Sequence, residues 1–91
     1  MYKYVPYDTP SVDRVLLSPL PNALKKYDIP FYQRDNGQYV LHRIVGVGDT
    51  YTCIGDNQFI SDDGVRSDQM IAVVTAFARG KKVISLKKLY Y

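Results

Sequence analysis

Ile29-Pro30-Phe31-Tyr32-Gln33-Arg34-Asp35-Asn36-Gly37-Gln38-Tyr39-Val40-Leu41-His42-Arg43-Ile44-Val45-Gly46-Val47 is the stretch that decides the fold. Aromatic and β-branched side chains crowd both of its flanks, as they do on strands. Between them Asn36-Gly37 offers two residues that tolerate positive φ, the chemistry of a tight hairpin. Gly48-Asp49 turns the chain again into Thr50 to Ile54, so a meander of three strands is predicted. Tyr39 to Val47 carries apolar side chains on both alternate faces, which predicts a strand buried on two sides and central to its sheet.

Upstream, all five prolines fall in the first thirty residues, and with Asp8-Thr9-Pro10-Ser11 they mark residues 1–12 as irregular. Val15-Leu16-Leu17 reads as an early strand ended at Ser18-Pro19, because proline cannot donate to a ladder. Asn22 to Lys26 allows at most one helical turn. Downstream, Gly55-Asp56-Asn57 and Ser61-Asp62-Asp63-Gly64 read as loops. Ser67 to Gln69 reads as a short turn, and Ile71 to Ala78 and Val83 to Leu86 as strands joined at Arg79-Gly80-Lys81-Lys82. The predicted class is all-β. A chain of 91 residues cannot split between two cores and still offset its ordering entropy, so one domain is expected over 1–91, with its core in 13–88.

Hydrophobic residues make up 46% of the chain, a globular value that argues against disorder. The longest apolar run, Met70 to Val74, falls far short of the roughly 20 residues needed to cross a bilayer. The start of the chain lacks an apolar signal-type segment. The expected place is therefore the cytoplasm, or a membrane reached through a partner or a further segment. The single cysteine, Cys53, reads as a buried strand thiol. One His and scattered carboxylates lack the spacing of a zinc or calcium site, so no metal and no cofactor are expected. A net charge of +3 is concentrated at Arg79, Lys81, Lys82, Lys87 and Lys88.

His42 is the only histidine, and it sits between Val40 and Ile44 on its own face. A lone histidine there is more often a satisfied core residue than a catalyst. Asp56 and Asp62 follow fourteen and twenty residues later, in segments that a meander can fold back towards it. A carboxylate that accepts the Nδ1 proton fixes the tautomer an imidazole base needs.

Lys26-Tyr27-Asp28-Ile29-Pro30, Tyr39 to Val45, Gly55-Asp56-Asn57 and Val65 to Val74 together resemble the peptidase domain shared by LexA-like repressors and type I signal peptidases. The likeness runs over Leu24 to Gly80 and is most specific in the His-Arg-Ile strand followed by the Gly-Asp-Asn loop. It implies a small coiled β-barrel-like sheet and serine-type peptide-bond hydrolysis, with an extended peptide or protein as substrate. His42 matches the base of the Ser/His enzymes, Asp56 the aspartate of the loop, and Asp62 a second acidic position. The family's nucleophile, a serine in a Ser-Met-x-Pro segment, has no counterpart. With Pro6 as the proline, the serine position falls on Lys3 and the methionine position on Tyr4, and Ser11 and Ser18 are the nearest hydroxyls.

The expectations divide accordingly. One is a peptidase domain, truncated or degenerate and inactive as it stands. Another is a non-catalytic peptide-binding or assembly module of the same fold, alone, as a homo-oligomer or with a partner chain. A third is a nucleic-acid-binding β-barrel using the nine tyrosines and the basic end, although the tyrosines show no regular spacing in sequence.

Overall fold

The computed structural model describes residues 2–7 and 12–86. Expectations for Ser11, Lys87, Lys88, Tyr90 and Tyr91 lie outside the described residues. The described residues are nearly all β, forming nine strands and one 3-10 turn. The strands are β1 (Lys3–Pro6), β2 (Arg14–Ser18), β3 (Pro30–Gln33), β4 (Tyr39–Leu41), β5 (Arg43–Val47), β6 (Tyr51–Ile54), β7 (Asp62–Val65), β8 (Met70–Arg79) and β9 (Lys82–Ser85). The 3-10 turn is Ser67–Gln69. Contacts group the chain into two compact units, Met1–Pro19 with Val74–Tyr91, and Leu20–Val73.

In the first unit β1 pairs antiparallel with β2, from Lys3 opposite Leu17 to Pro6 opposite Arg14. β2 neighbours β8, and β8 pairs with β9. The start of the chain, expected to be irregular, is thus partly a strand. Pro6 fits because β1 lies at the sheet edge, where a missing N–H costs no ladder bond. Val15, Leu17, Val74, Ala76 and Ala78 are buried on one face. Asp13 ties the ends together: its N–H donates to Ala78 O at 2.9 Å, and its Oδ2 accepts the Gly80 N–H at 2.9 Å. Gly80 takes φ 56° in the tight turn between β8 and β9, a conformation glycine reaches without steric cost.

In the second unit β3 lies between β4 and the beginning of β8, while β5, β6 and β7 form a three-stranded sheet. The hairpin at Asn36-Gly37 is where the sequence puts it, with Gly37 at φ 91°. Tyr32, Ile44 and Cys53 are fully buried and pack with Leu24, Val65, Met70 and Val73. Two local expectations are corrected.

Tyr39 to Val47 is two strands in two sheets, parted at His42, and neither is central. Each pairs with a single strand, so each shows an outer face: Tyr39 is 58% exposed and Val47 53%. The second correction concerns Asp62 to Gly64, which read as a loop. They belong to β7, with Cys53 opposite Asp62 and Tyr51 opposite Val65, across a register shift where Gly64 adopts φ 68°. Turn-forming composition here serves a bulged strand. Asn22 to Lys26, for which at most one helical turn is expected, holds bends and the start of a turn. Next to them Tyr27, at φ 77°, donates its N–H to Ile44 O, and the Ile44 N–H donates to Asp28 O, both at 2.8 Å.

Candidate functional site at His42

His42 occupies the single residue between β4 and β5, where the chain leaves one sheet for the other. Such corners free a side chain from the regular alternation of a strand. The imidazole is only 7% exposed and meets the Tyr32 ring edge-on, with centroids 6.2 Å apart and planes at 77°.

Tyr32 Oη lies 3.3 Å from His42 Nδ1 and 2.6 Å from Asp62 Oδ2. A carboxylate can only accept, so the phenol gives its proton to Asp62 and its oxygen accepts from His42 Nδ1–H. Asp62 is clamped from the other side by Arg34, whose Nε donates to Oδ2 at 2.8 Å and whose Nη2 donates to Oδ1 at 3.2 Å. The result is a directed chain from imidazole to phenol to carboxylate, closed by a guanidinium. It leaves Nε2 as the ring's acceptor. Among the described residues no buried side-chain nitrogen or oxygen lacks a partner.

The charges follow from this arrangement. Burial pushes the His42 imidazole below its ordinary range, against the pull of the Asp62 charge. Burial and the bond to Asp62 push the Tyr32 phenol far up. Burial alone would raise the Asp62 carboxyl, but hydrogen bonds from Arg34 and Tyr32, with the Arg34 charge, hold it below the usual carboxylate range. The chain is therefore neutral imidazole, neutral phenol, carboxylate and guanidinium. An open polar cleft of about 250 Å³ reaches this network from the Asp62 side, lined in part by Tyr32, Arg34, Asp62, Asp63 and Gln69.

Of the two acids expected near His42, Asp62 is the one beside it, with Oδ2 3.9 Å from Nδ1 and the phenol between. Asp56 makes no hydrogen bond to His42. Its two oxygens are held by Arg43, Nε to Oδ1 at 3.0 Å and Nη2 to Oδ2 at 3.2 Å. A fork of donors one residue from His42 suits a carboxylate better than a single ring N–H does. Ser18 belongs to the other unit; its hydroxyl is 2.6 Å from that of Thr75, and its side chain is buried.

Tyr32 and Arg34 were absent from the candidates drawn from the sequence. Their signal was available. They are two residues apart and so share a face in extended chain, and a tyrosine among apolar core neighbours needs a partner for its hydroxyl. Cys53 is fully buried, and burial with the Asp62 charge raises its thiol to about 11, against a smaller lowering by the Tyr32 hydroxyl.

Among the described residues no three His, Cys, Asp or Glu side chains gather to hold a metal ion, and no helix is long and apolar enough to cross a membrane. No family model, curated protein or solved structure matches the chain.

Proposed function

We propose that this chain is a signal-peptidase-like β domain that binds extended peptide without cutting it, its His42 network serving to hold the corner between β4 and β5. The observation carrying this reading is the interposed phenol: His42 Nδ1 is satisfied by Tyr32, and none of the described residues brings a hydroxyl to Nε2. Attack on a peptide carbonyl needs a hydroxyl or thiol within hydrogen-bond reach of its base. The hydroxyl of Ser18 is committed to Thr75 and that of Ser61 to Asp63.

Edges support the binding half of the proposal. β5 has the Ile44 N–H and O on its outer side occupied by Asp28 and Tyr27. β4 pairs only with β3 among the described residues. A peptide added beside Tyr39–Leu41 would gain main-chain hydrogen bonds in the manner of strand addition and would end next to His42.

The resemblance to Ser/His peptidases keeps hydrolysis as a second reading, favoured by one observation. Protonation at Nδ1 leaves Nε2 in the form a general base uses. Intact-mass analysis after exposure to a fluorophosphonate probe separates the two readings. The expected result is no adduct on the folded chain, together with slowed amide exchange at Tyr39–Leu41 in the presence of a decapeptide selected from a random array. One adduct on a single serine, lost in His42→Ala, would establish the peptidase instead.

A further inference from the structure

β4 offers its main chain along one side. At the hairpin the Arg34 N–H donates to Gln38 O at 2.7 Å, and Tyr32 stands opposite Val40, so 34/38 and 32/40 are the hydrogen-bonded pairs of the alternating antiparallel ladder. Tyr39 and Leu41, opposite Gln33 and Phe31, therefore turn their N–H and C=O groups away from β3. No other strand among the described residues takes up that side. Two donor–acceptor pairs at strand spacing are met by another extended main chain, and neither a nucleic acid nor a lipid supplies that alternation. Main-chain bonds are the same for every sequence, so selection falls to the side chains at the two ends of the edge.

At one end stands Tyr39. Its ring is stacked on that of Phe31, and the residue stays more than half exposed. The centroids are 5.6 Å apart and the planes lie at 15°. It is the outer ring of a stack that a third aromatic side chain extends.

At the other end stands His42, whose side chain is only 8% exposed. Nδ1 is satisfied by the Tyr32 hydroxyl, but Nε2 has no hydrogen-bond partner among the described residues. Since no buried side-chain nitrogen or oxygen there lacks a partner, Nε2 is the polar atom through which this otherwise enclosed ring meets solvent. His42 is not among the residues lining the cleft on the Asp62 side, so the opening lies elsewhere. An acceptor held in one tautomer behind so small an opening suits a small neutral donor. An ammonium or guanidinium would lose its hydration there, and a carboxylate has no proton to give.

Tyr39 and His42 are three residues apart, an odd spacing that sets them on opposite faces of the chain, His42 on the face of Val40 and Tyr32. A peptide that lies along the edge, and runs straight on where the chain leaves for β5, meets both through residues likewise three apart. Resting on strand addition as the mode of binding, we propose that β4 selects extended peptides in which an aromatic residue and a Ser or Thr stand three positions apart, the ring laid against Tyr39 and the hydroxyl donating to His42 Nε2. A second copy of the chain fits less well. A stable dimer buries about 1,200 Å² or more, beyond what a three-residue edge provides.

The test uses the full chain with fluorescein-labelled Lys-Val-Thr-Val-Val-Phe-Val-Lys and with the reversed sequence, which together cover both strand directions. Anisotropy gives the affinity, and amide exchange at Tyr39 and Leu41 places the peptide. One of the two sequences is expected to bind and to slow exchange there. Val in place of Thr keeps the shape without the hydroxyl and should weaken binding about fivefold or more. Ala in place of Phe should weaken it about threefold or more. Tyr39→Ala, at an exposed position, should abolish the preference for Phe and keep the preference for Thr. Because His42 is the only histidine, nitrogen NMR of a histidine-labelled chain shows a single Nε2 resonance. It should move upfield with the Thr peptide and stay in place with the Val peptide. Equal affinity for the Thr and Val peptides, or an unmoved Nε2 resonance while exchange at Tyr39 and Leu41 is slowed, would overturn this selection and leave strand addition standing. Unchanged exchange at both residues with every peptide would overturn strand addition itself. Protection of these amides that rises with chain concentration in the absence of peptide would put a second copy on the edge and overturn the proposal.

Discussion

The Tyr32 hydroxyl stands between His42 and Asp62, 3.3 Å from the imidazole and 2.6 Å from the carboxylate, and so replaces the direct His–Asp contact of a catalytic pair with a relayed one. Tyr32→Phe keeps the ring and removes the relay. It strands the His42 Nδ1–H and takes one donor from Asp62, an expected loss of about 1–3 kcal/mol of stability for a buried group left without its partner. Urea denaturation of the variant beside the parent chain measures it. An unchanged midpoint would show that the relay contributes nothing to the fold.

Acid should weaken the domain in two stages. The folded state holds His42 below its ordinary range of about 6.5, so its contribution is complete above that value and declines as pH falls towards the folded value. Asp62 is likewise held below its usual range, and its contribution, present above about 3.9, is lost as pH falls through its folded value. Denaturation midpoints between pH 8 and pH 3 should therefore fall in the weakly acid range and again near the bottom. In His42→Gln the first decline should disappear while the second stays.

The two arginine–aspartate forks should differ in worth. Asp62 is 24% exposed in its side chain and serves both Arg34 and Tyr32, whereas Asp56 is 48% exposed and serves Arg43. Asp62→Ala should cost about 1–3 kcal/mol, since it leaves the buried Tyr32 hydroxyl without its acceptor. Asp56→Ala should cost about 0–1 kcal/mol, as an exposed pair does. Equal losses in thermal or urea melts would contradict the different surroundings of the two acids.

Cys53 should resist thiol reagents in the native state. With no exposed surface and a thiol raised to about 11, it presents almost no thiolate near neutrality. Reaction with a disulfide reagent should be slow in buffer and fast in denaturant. Rapid native labelling would mean that β6 opens readily.

Much of the β pattern could be read directly. Asn36-Gly37 and Pro19 punctuate the chain where strands turn or stop, because their backbone preferences act locally. What stayed hidden depends on partners distant in sequence. The break at His42 is invisible in the run from Tyr39 to Val47, since β propensity is continuous across a corner. Asp62-Asp63-Gly64 carries turn residues yet pairs with β6, a tertiary preference that overrides composition. The separation of Asp56 from His42 has a similar origin. Spacing brought both within range of His42, but neither the prior claim of Arg43 on Asp56 nor the placing of Tyr32 can be seen before the sheets are folded.

The hydrogen bonds from Tyr27 and Asp28 to Ile44 bear on how this protein behaves in concentrated solution. Arg43-Ile44-Val45-Gly46-Val47 has the β-branched, weakly charged character of segments that template fibrils, and Val45 and Val47 are already open to solvent. By occupying the Ile44 N–H and O on that side, the two residues act as a stopper against the growth of one molecule's sheet onto another's. Their loosening is the step at which self-templating aggregation could begin, well before the core around Ile44 is exposed.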